Sequence, residues 1–180
     1  MIESNIKKVL VSEEEIQKRV KELGKIITKD FKETKGLIVV GLLRGSILFM
    51  ADLMREIKLP LKIDFMTVSS YGNQFETTRE VKILKDLDEN VMGKDILIVE
   101  DIIDSGLTLS KIMEILKNRN PNSIKLCTLL NKSARREVNI KADYIGFDIP
   151  DEFVLGYGLD YLQEYRNLPY VGVMKEDVNE

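Results

Sequence analysis

Residues 99–108 read VEDIIDSGLT, placing three carboxylates (Glu100, Asp101, Asp104), two hydroxyls (Ser105, Thr108) and one glycine (Gly106) in one short stretch. The small residues suit a turn whose backbone N–H groups face an anion, with Gly106 allowing close approach and the hydroxyls adding donors. Three acids beside such a cradle would repel a phosphate unless something compensates. A divalent cation and the vicinal hydroxyls of a sugar would do so, because Glu100 and Asp101 can accept from hydroxyls or from metal-bound water. Asp104 would then stand inside the cradle, within reach of a reacting centre. Taken singly, each residue has a plainer role: Asp104 and Ser105 as caps of a following helix, Glu100 and Asp101 as solvated charges. The complete string between a strand and a helix favours the ligand. It is neither a Walker A loop, lacking Gly-Lys-Ser/Thr, nor a dinucleotide fingerprint, lacking the glycine triplet.

The chain contains no histidine and one cysteine, Cys127. Acid–base chemistry therefore falls to Asp, Glu, Lys or Tyr, and any metal is expected to be a hard ion on oxygen ligands, Mg²⁺ or Mn²⁺. A lone cysteine offers neither an intramolecular disulfide nor a thiolate cluster. The 180 residues fit one domain, residues 1–180, and 44% hydrophobic with 32% charged residues is a globular balance. A net charge of −3 speaks against a nucleic-acid partner. No apolar run is long enough to span a bilayer and residues 1–10 lack the core of a signal peptide, so no membrane association and a cytoplasmic location are expected.

The elements that must position the acids follow from periodicity. Ser12 and Glu15 have capping-box spacing, so a helix begins near Glu13, its buried stripe formed by Ile16, Val20, Leu23 and Ile27. Residues 37–43 and 95–99 are short, continuous, aliphatic runs, as in strands buried on both faces. Helices are predicted over 46–57 and 109–119, the second stopped by Pro121. Residues 61–65 alternate as a strand, 70–80 read as a polar loop, and 81–85 as a strand antiparallel to the one before. Strands at 124–130 and 144–149 complete the sheet, and a last apolar piece covers 170–174. Strands alternating with helices give an α/β fold with a mostly parallel central sheet flanked by helices. Ligands bind beyond the carboxyl ends of such strands, which selects residues 43–46 and 100–108.

VEDIIDSGLT resembles the ribose-phosphate motif of the type I phosphoribosyltransferases, specifically their hypoxanthine-guanine branch. The likeness extends over residues 37–173 and includes GLLRGS at 41–46, SSYG at 69–72, LLNKSARR at 129–136 and IPDEFVLGYGLDY at 149–161. It implies the type I fold, with a small hood built from terminal segments. It also implies transfer of a phosphoribosyl group from phosphoribosyl pyrophosphate to a 6-oxopurine, with Mg²⁺ and a homodimer or homotetramer.

By the same resemblance the 5′-phosphate rests on Asp104, Ser105, Gly106, Leu107 and Thr108, while Glu100 and Asp101 meet the ribose hydroxyls and the magnesium shell. Asp104 is the catalytic residue, taking or sharing the N7 proton of the base as N9 attacks C1′. A carboxylate there can also stabilise positive charge developing at C1′. Arg44 and Gly45 match the pyrophosphate loop, where a non-proline cis peptide is usual and relatives often carry lysine in place of Arg44. Arg166 neutralises pyrophosphate. Lys132 donates to O6 of the purine, Phe153 stacks on the ring and the Val154 backbone reads its edge. Asp160 joins the purine side and a second magnesium site, and Ser70 and Tyr71 begin a lid that excludes water.

Alone, each of these has a plainer role: Arg44 solvated at a tight turn, Lys132 one charge in a run, Phe153 a core aromatic, Asp160 and Arg166 surface ion-pair partners, residues 70–80 a hairpin connection. Two other functions share the motif: a nucleic-acid-binding regulator that senses phosphoribosyl pyrophosphate, and a phosphoribosyltransferase for another base. A regulator is expected to carry extra length or a basic face, and the sequence offers neither extra length nor a cationic excess. Lys132 argues against adenine, which offers a donor at position 6, whereas xanthine keeps the oxo group.

Overall fold

A computed structural model describes residues 5–71 and 80–175. In chain order the elements are β1 (Ile6–Val11), α1 (Glu13–Asp30), β2 (Leu37–Leu42), α2 (Ile47–Glu56), β3 (Leu61–Tyr71), β4 (Glu80–Lys85), β5 (Asp95–Ile103), α3 (Leu107–Lys117), β6 (Ser123–Asn131), β7 (Tyr144–Asp148), β8 (Val154–Leu155) and β9 (Val171–Met174). A single 3-10 turn, Ser133–Arg135, follows β6. Among the described residues no helix is long and apolar enough to cross a membrane.

The aliphatic runs form the centre of a six-stranded sheet ordered β4-β3-β2-β5-β6-β7, parallel except for the antiparallel edge strand β4. Every residue of β2 is buried, which explains its unbroken apolar pattern. Alternate residues feed opposite faces. Val39, Leu97 and Val99 join α1 and α2 in one core, while Ile38, Val40, Ile96 and Ile98 join α3 in the other. Helix α1 forms as its sequence requires: the Ser12–Glu15 capping box is closed and Ile16, Val20, Leu23 and Ile27 are buried. Each such aliphatic side chain contributes about 1.5–3 kcal/mol by leaving water.

The terminal segments make a separate antiparallel sheet, β1-β9-β8, which is the expected hood. Its Val11, Val154, Val171 and Val173 belong to the same core cluster as Val39 and Val99 of the large sheet. Strand β1 escapes prediction because its IKKVLV pattern leaves most side chains exposed or half-buried. Two expectations need correction. The loop predicted over 70–80 is narrower: Ser70 and Tyr71 lie in β3, paired with Val81 and Glu80. The remainder of that segment, on which the lid depends, lies outside the described residues. Strand β5 runs four residues beyond 99, so Glu100 and Asp101 are strand residues and not part of a turn.

Strand order places the site. The chain leaves β2 toward β3 on one side and leaves β5 toward β6 on the other, so a crevice opens between the carboxyl ends of β2 and β5. The β2–α2 and β5–α3 connections flank it.

Candidate active site

Register pairing of β5 with β6 sets Ile103 beside Asn131, so the next residue of each strand, Asp104 and Lys132, leaves the sheet side by side. The Lys132 N–H donates to the Ile103 carbonyl at 3.0 Å. Asp104 and Ser105 then turn the chain, and Gly106, at φ 80°, is the residue before α3. Glycine is favoured there twice over: the left-handed conformation strains most side chains, and a Cβ would lie 2.5 Å from Ile140. The side of Gly106 that a Cβ would enter is occupied by Ile140, with Arg136 and Val138 at 3.2 Å.

The N-cap residue of α3, Gly106, has no side chain to cap it, and the Leu107 N–H makes a long contact to Ser105 Oγ at 3.4 Å. The next amides of the first turn, Thr108 and Leu109, have no intrahelical partner and can serve as anion donors. Asp104 does not take the capping role considered for it, and Ser105 makes only that one long contact to the helix start. Asp104 Oδ1 is buried without a hydrogen-bond partner among the described residues, while Oδ2 lies 4.0 Å from the Lys132 ammonium.

Glu100 and Asp101 stand side by side on β5. Burial, and then repulsion from Asp101, pushes the Glu100 carboxyl well above its ordinary range. Asp101 reaches the opposite connection: a Cβ on Gly45 would lie 1.6 Å from Asp101 Oδ2, so only glycine leaves room for that carboxylate. The Leu43–Arg44 peptide is cis, as the resemblance implies. Ser46 anchors this loop by donating to the Leu42 carbonyl at 2.6 Å. Among the described residues no three acidic or sulfur ligands cluster as a metal cage. The donor set fits a hydrated Mg²⁺ that shares carboxylates with substrate oxygens, which is how this ion is usually bound.

Lys132 is buried, with a side chain 7% exposed, and its ammonium lies 4.0 Å from both Asp104 and Asp151. Asp151 is itself held by Arg135 at 2.6 Å. Lys132 is thus no solvated member of a charge run. Phe153 is 55% exposed and meets Tyr161 edge-on, so it is not a core aromatic. Val154 belongs to β8, the edge strand of the hood, whose outward backbone groups have no ladder partner.

Arg44, Asp160 and Arg166 converge on a residue that the sequence did not single out. Gln163 Oε1 accepts from Arg44 at 2.8 Å and from Arg166 at 3.0 Å. Arg166 also donates to the Gly158 carbonyl at 2.7 Å and pairs with Asp160 Oδ1 at 2.9 Å. Asp160 Oδ2 accepts the Gln163 N–H at 2.9 Å, so both oxygens of the expected second metal ligand are engaged within the protein. Leu162 and Gln163 both have positive φ, 51° and 70°, between the bridged residues Tyr161 and Glu164. That is hairpin-turn geometry, and without Asn-Gly nothing in the sequence signals it. Arg136 was missed as well, although it lies in LLNKSARR; its bonds to the Ile103 and Asp104 carbonyls join residues more than 30 apart, and no local pattern reveals them. Ser70 and Tyr71 are placed only as the end of β3.

Residues 10–162 match the family model described as phosphoribosyl transferase domain. A hypoxanthine phosphoribosyltransferase of Escherichia coli (strain K12) is 60% identical over 165 residues, covering 91% of this chain and 93% of that protein. A hypoxanthine-guanine phosphoribosyltransferase of Bacillus subtilis (strain 168) is 56% identical over 180 residues, 100% of this chain and 99% of that protein. Among solved structures, a hypoxanthine phosphoribosyltransferase from Staphylococcus aureus superposes with a TM-score of 0.94 at 50% identity, covering 98% of this chain and 95% of the other.

Proposed function

The chain belongs to the phosphoribosyl transferase domain family, and on that premise we propose the following chemistry for its site. The protein is a purine salvage transferase: it moves the 5-phosphoribosyl group of phosphoribosyl pyrophosphate to hypoxanthine, releasing pyrophosphate and forming IMP. Guanine is the second acceptor, giving GMP. The observation that carries the assignment is the meeting of Asp104 and Lys132 at the open end of β5 and β6, beside an uncapped helix start.

In this reading the amides and hydroxyls of residues 104–108 hold the 5′-phosphate. N9 of the base forms its bond to C1′ as the bond from C1′ to the pyrophosphate oxygen breaks. The N7 proton passes to Asp104, whose unpartnered oxygen is open to it. Lys132 donates to O6 of the base, and the exposed ring of Phe153 supplies a stacking face. Arg44 and Arg166, gathered by Gln163, neutralise pyrophosphate. Glu100 and Asp101 receive the ribose hydroxyls and Mg²⁺, which when bound screens the diphosphate charge. Asp160 serves mainly to orient Arg166. A homodimer or homotetramer and a cytoplasmic location complete the proposal; the buried thiol of Cys127 is compatible with a reducing compartment.

The test is pyrophosphate release from phosphoribosyl pyrophosphate and Mg²⁺ with each purine in turn. Turnover is expected with hypoxanthine and guanine and not with adenine. No turnover with either 6-oxopurine, or turnover with xanthine alone, would overturn the assignment.

A further inference from the structure

The segment after β6 wraps back against residues 103–106 of the phosphate turn. Its principal contact is one side chain. Arg136 Nε donates to the Asp104 carbonyl at 2.9 Å, and one terminal nitrogen donates to the Ile140 carbonyl at 2.7 Å. The other terminal nitrogen reaches Asn131 Oδ1 at 2.6 Å and the Ile103 carbonyl at 3.4 Å. The next residue, Glu137, donates its N–H to the Ser105 carbonyl at 3.0 Å. Two successive carbonyls of the turn, Asp104 and Ser105, are therefore both held by the same segment.

The planar trans peptide makes this consequential. Within one unit the C=O and the following N–H point in opposite directions. Holding the Asp104 carbonyl toward Arg136 aims the Ser105 N–H away from it, and holding the Ser105 carbonyl toward Glu137 does the same for the Gly106 N–H. Successive amides turned to one side form an anion-binding concavity that continues into the uncapped start of α3. Arg136 also packs where Gly106 has no side chain: a Cβ there would lie 3.2 Å from Arg136 Cδ. Through Asn131, which donates to Asp148 Oδ1 at 2.6 Å, the guanidinium is linked to the end of β7, and so to the segment leading to Asp151 and Phe153.

We infer that Arg136 is a positioning residue of the transferase: it aims the amide donors of the phosphate turn and fixes the backbone from which the Asp104 carboxylate projects. It touches no substrate in this role. Five donors in a rigid plane suit a site with four acceptors on three chain segments, and a lysine ammonium cannot reproduce that fork. The inference rests on the functional reading above, and its test separates the two.

Arg136→Lys keeps the charge and loses the fork; Arg136→Gly leaves room for added guanidinium ion. Steady-state kinetics, thermal melting and hydrogen exchange of the amides of residues 105–109 are measured on both variants and the parent protein. In Arg136→Lys, kcat with hypoxanthine is expected to fall roughly 10- to 100-fold, the scale of a small misplacement of reacting groups, with a higher KM for phosphoribosyl pyrophosphate. The KM for hypoxanthine should change less, the melting temperature little, and amides 105–109 should exchange faster than those early in β5. Guanidinium should restore part of the activity of Arg136→Gly. A folded Arg136→Lys with parent kinetics and parent exchange overturns the inference. So does an Arg136→Gly whose loss follows its unfolded fraction and does not respond to guanidinium. A parent protein inactive with both 6-oxopurines, but with faster exchange in the variants, breaks the functional reading and leaves the positioning role standing.

Discussion

Asp95 opens β5 and Asp104 stands just past its last residue, Ile103, yet the two carboxylates meet different surroundings. Asp95 accepts from Asn122 and Ser123, both at 2.6 Å, and from Thr34 at 2.5 Å. Burial works against its charge, but these three bonds win and hold its carboxyl below the ordinary value. At the other end Asp104 keeps one buried oxygen with no partner, and the half-buried Glu100 faces Asp101. The protein satisfies the acid at the amino end of the sheet and, at the carboxyl end, leaves an oxygen of Asp104 for something it does not itself supply. A buried acid with its hydrogen bonds complete is architecture. One with them incomplete is poised for a ligand.

Substitutions should separate the ends cleanly. Asp104→Asn is expected to lower kcat by about 10²–10⁴, the usual worth of a placed general base, with the melting temperature nearly unchanged. Full activity in steady-state assays would remove the proton role of Asp104. Asp95→Ala should do the reverse. It strands three donors and should cost about 3 kcal/mol in urea unfolding, leaving kcat per folded molecule unaltered. A stable Asp95→Ala with impaired kcat would dissolve the distinction between the ends.

Glycines at the two ends of β2 sharpen it further. Gly45→Ala must displace Asp101, whose oxygen lies 1.6 Å from the added Cβ, so kcat/KM should fall roughly 10- to 100-fold. Gly36→Ala meets only the flexible Lys94 side chain, at 3.0 Å, and should leave kinetics within about twofold of the parent, as for most surface changes. Equal kinetics for the two alanines would mean that the approach of Asp101 to the β2–α2 loop has no role in turnover.

The sequence disclosed the rim better than its supports. VEDIIDSGLT is legible because strand, turn and helix start are consecutive, and the acids stand out against the aliphatic run before them. The parallel sheet is legible in β2 and β5 because a strand buried on both faces has no polar alternation. What stayed hidden depends on partners far along the chain. Asp95 looks like the polar start of a strand until Thr34, Asn122 and Ser123 surround it. Arg136 looks like one charge in a run until it gathers the Asp104 carbonyl of the phosphate turn and the Ile140 carbonyl of its own segment. Lys132 alone reads as solvated; it is buried because β6 and β5 pair in a register that no local periodicity fixes.

The smallest expected effect is also the most direct measure of the contrast, because it is one of sign. Asp95 has its carboxyl held below 3.8 in the folded protein, so its charge stabilises the fold above that value, and the benefit is lost as pH falls through the lower folded value. Glu100 has its carboxyl raised above 4.5. Its penalty is absent below 4.5, grows as pH rises through the raised folded value, and is complete above it. Melting Asp95→Asn and Glu100→Gln beside the parent, without metal or substrate, should therefore give differences of opposite sign at neutral pH. Asp95→Asn should melt lower than the parent near pH 7 and converge with it in acid. Glu100→Gln should melt higher near pH 7 by about 2–4 °C, the shift that 1 kcal/mol produces in a chain of this size, and should also converge in acid. Two differences of the same sign would show that β5 treats its acids alike, and that the open end is no less satisfied than the closed one.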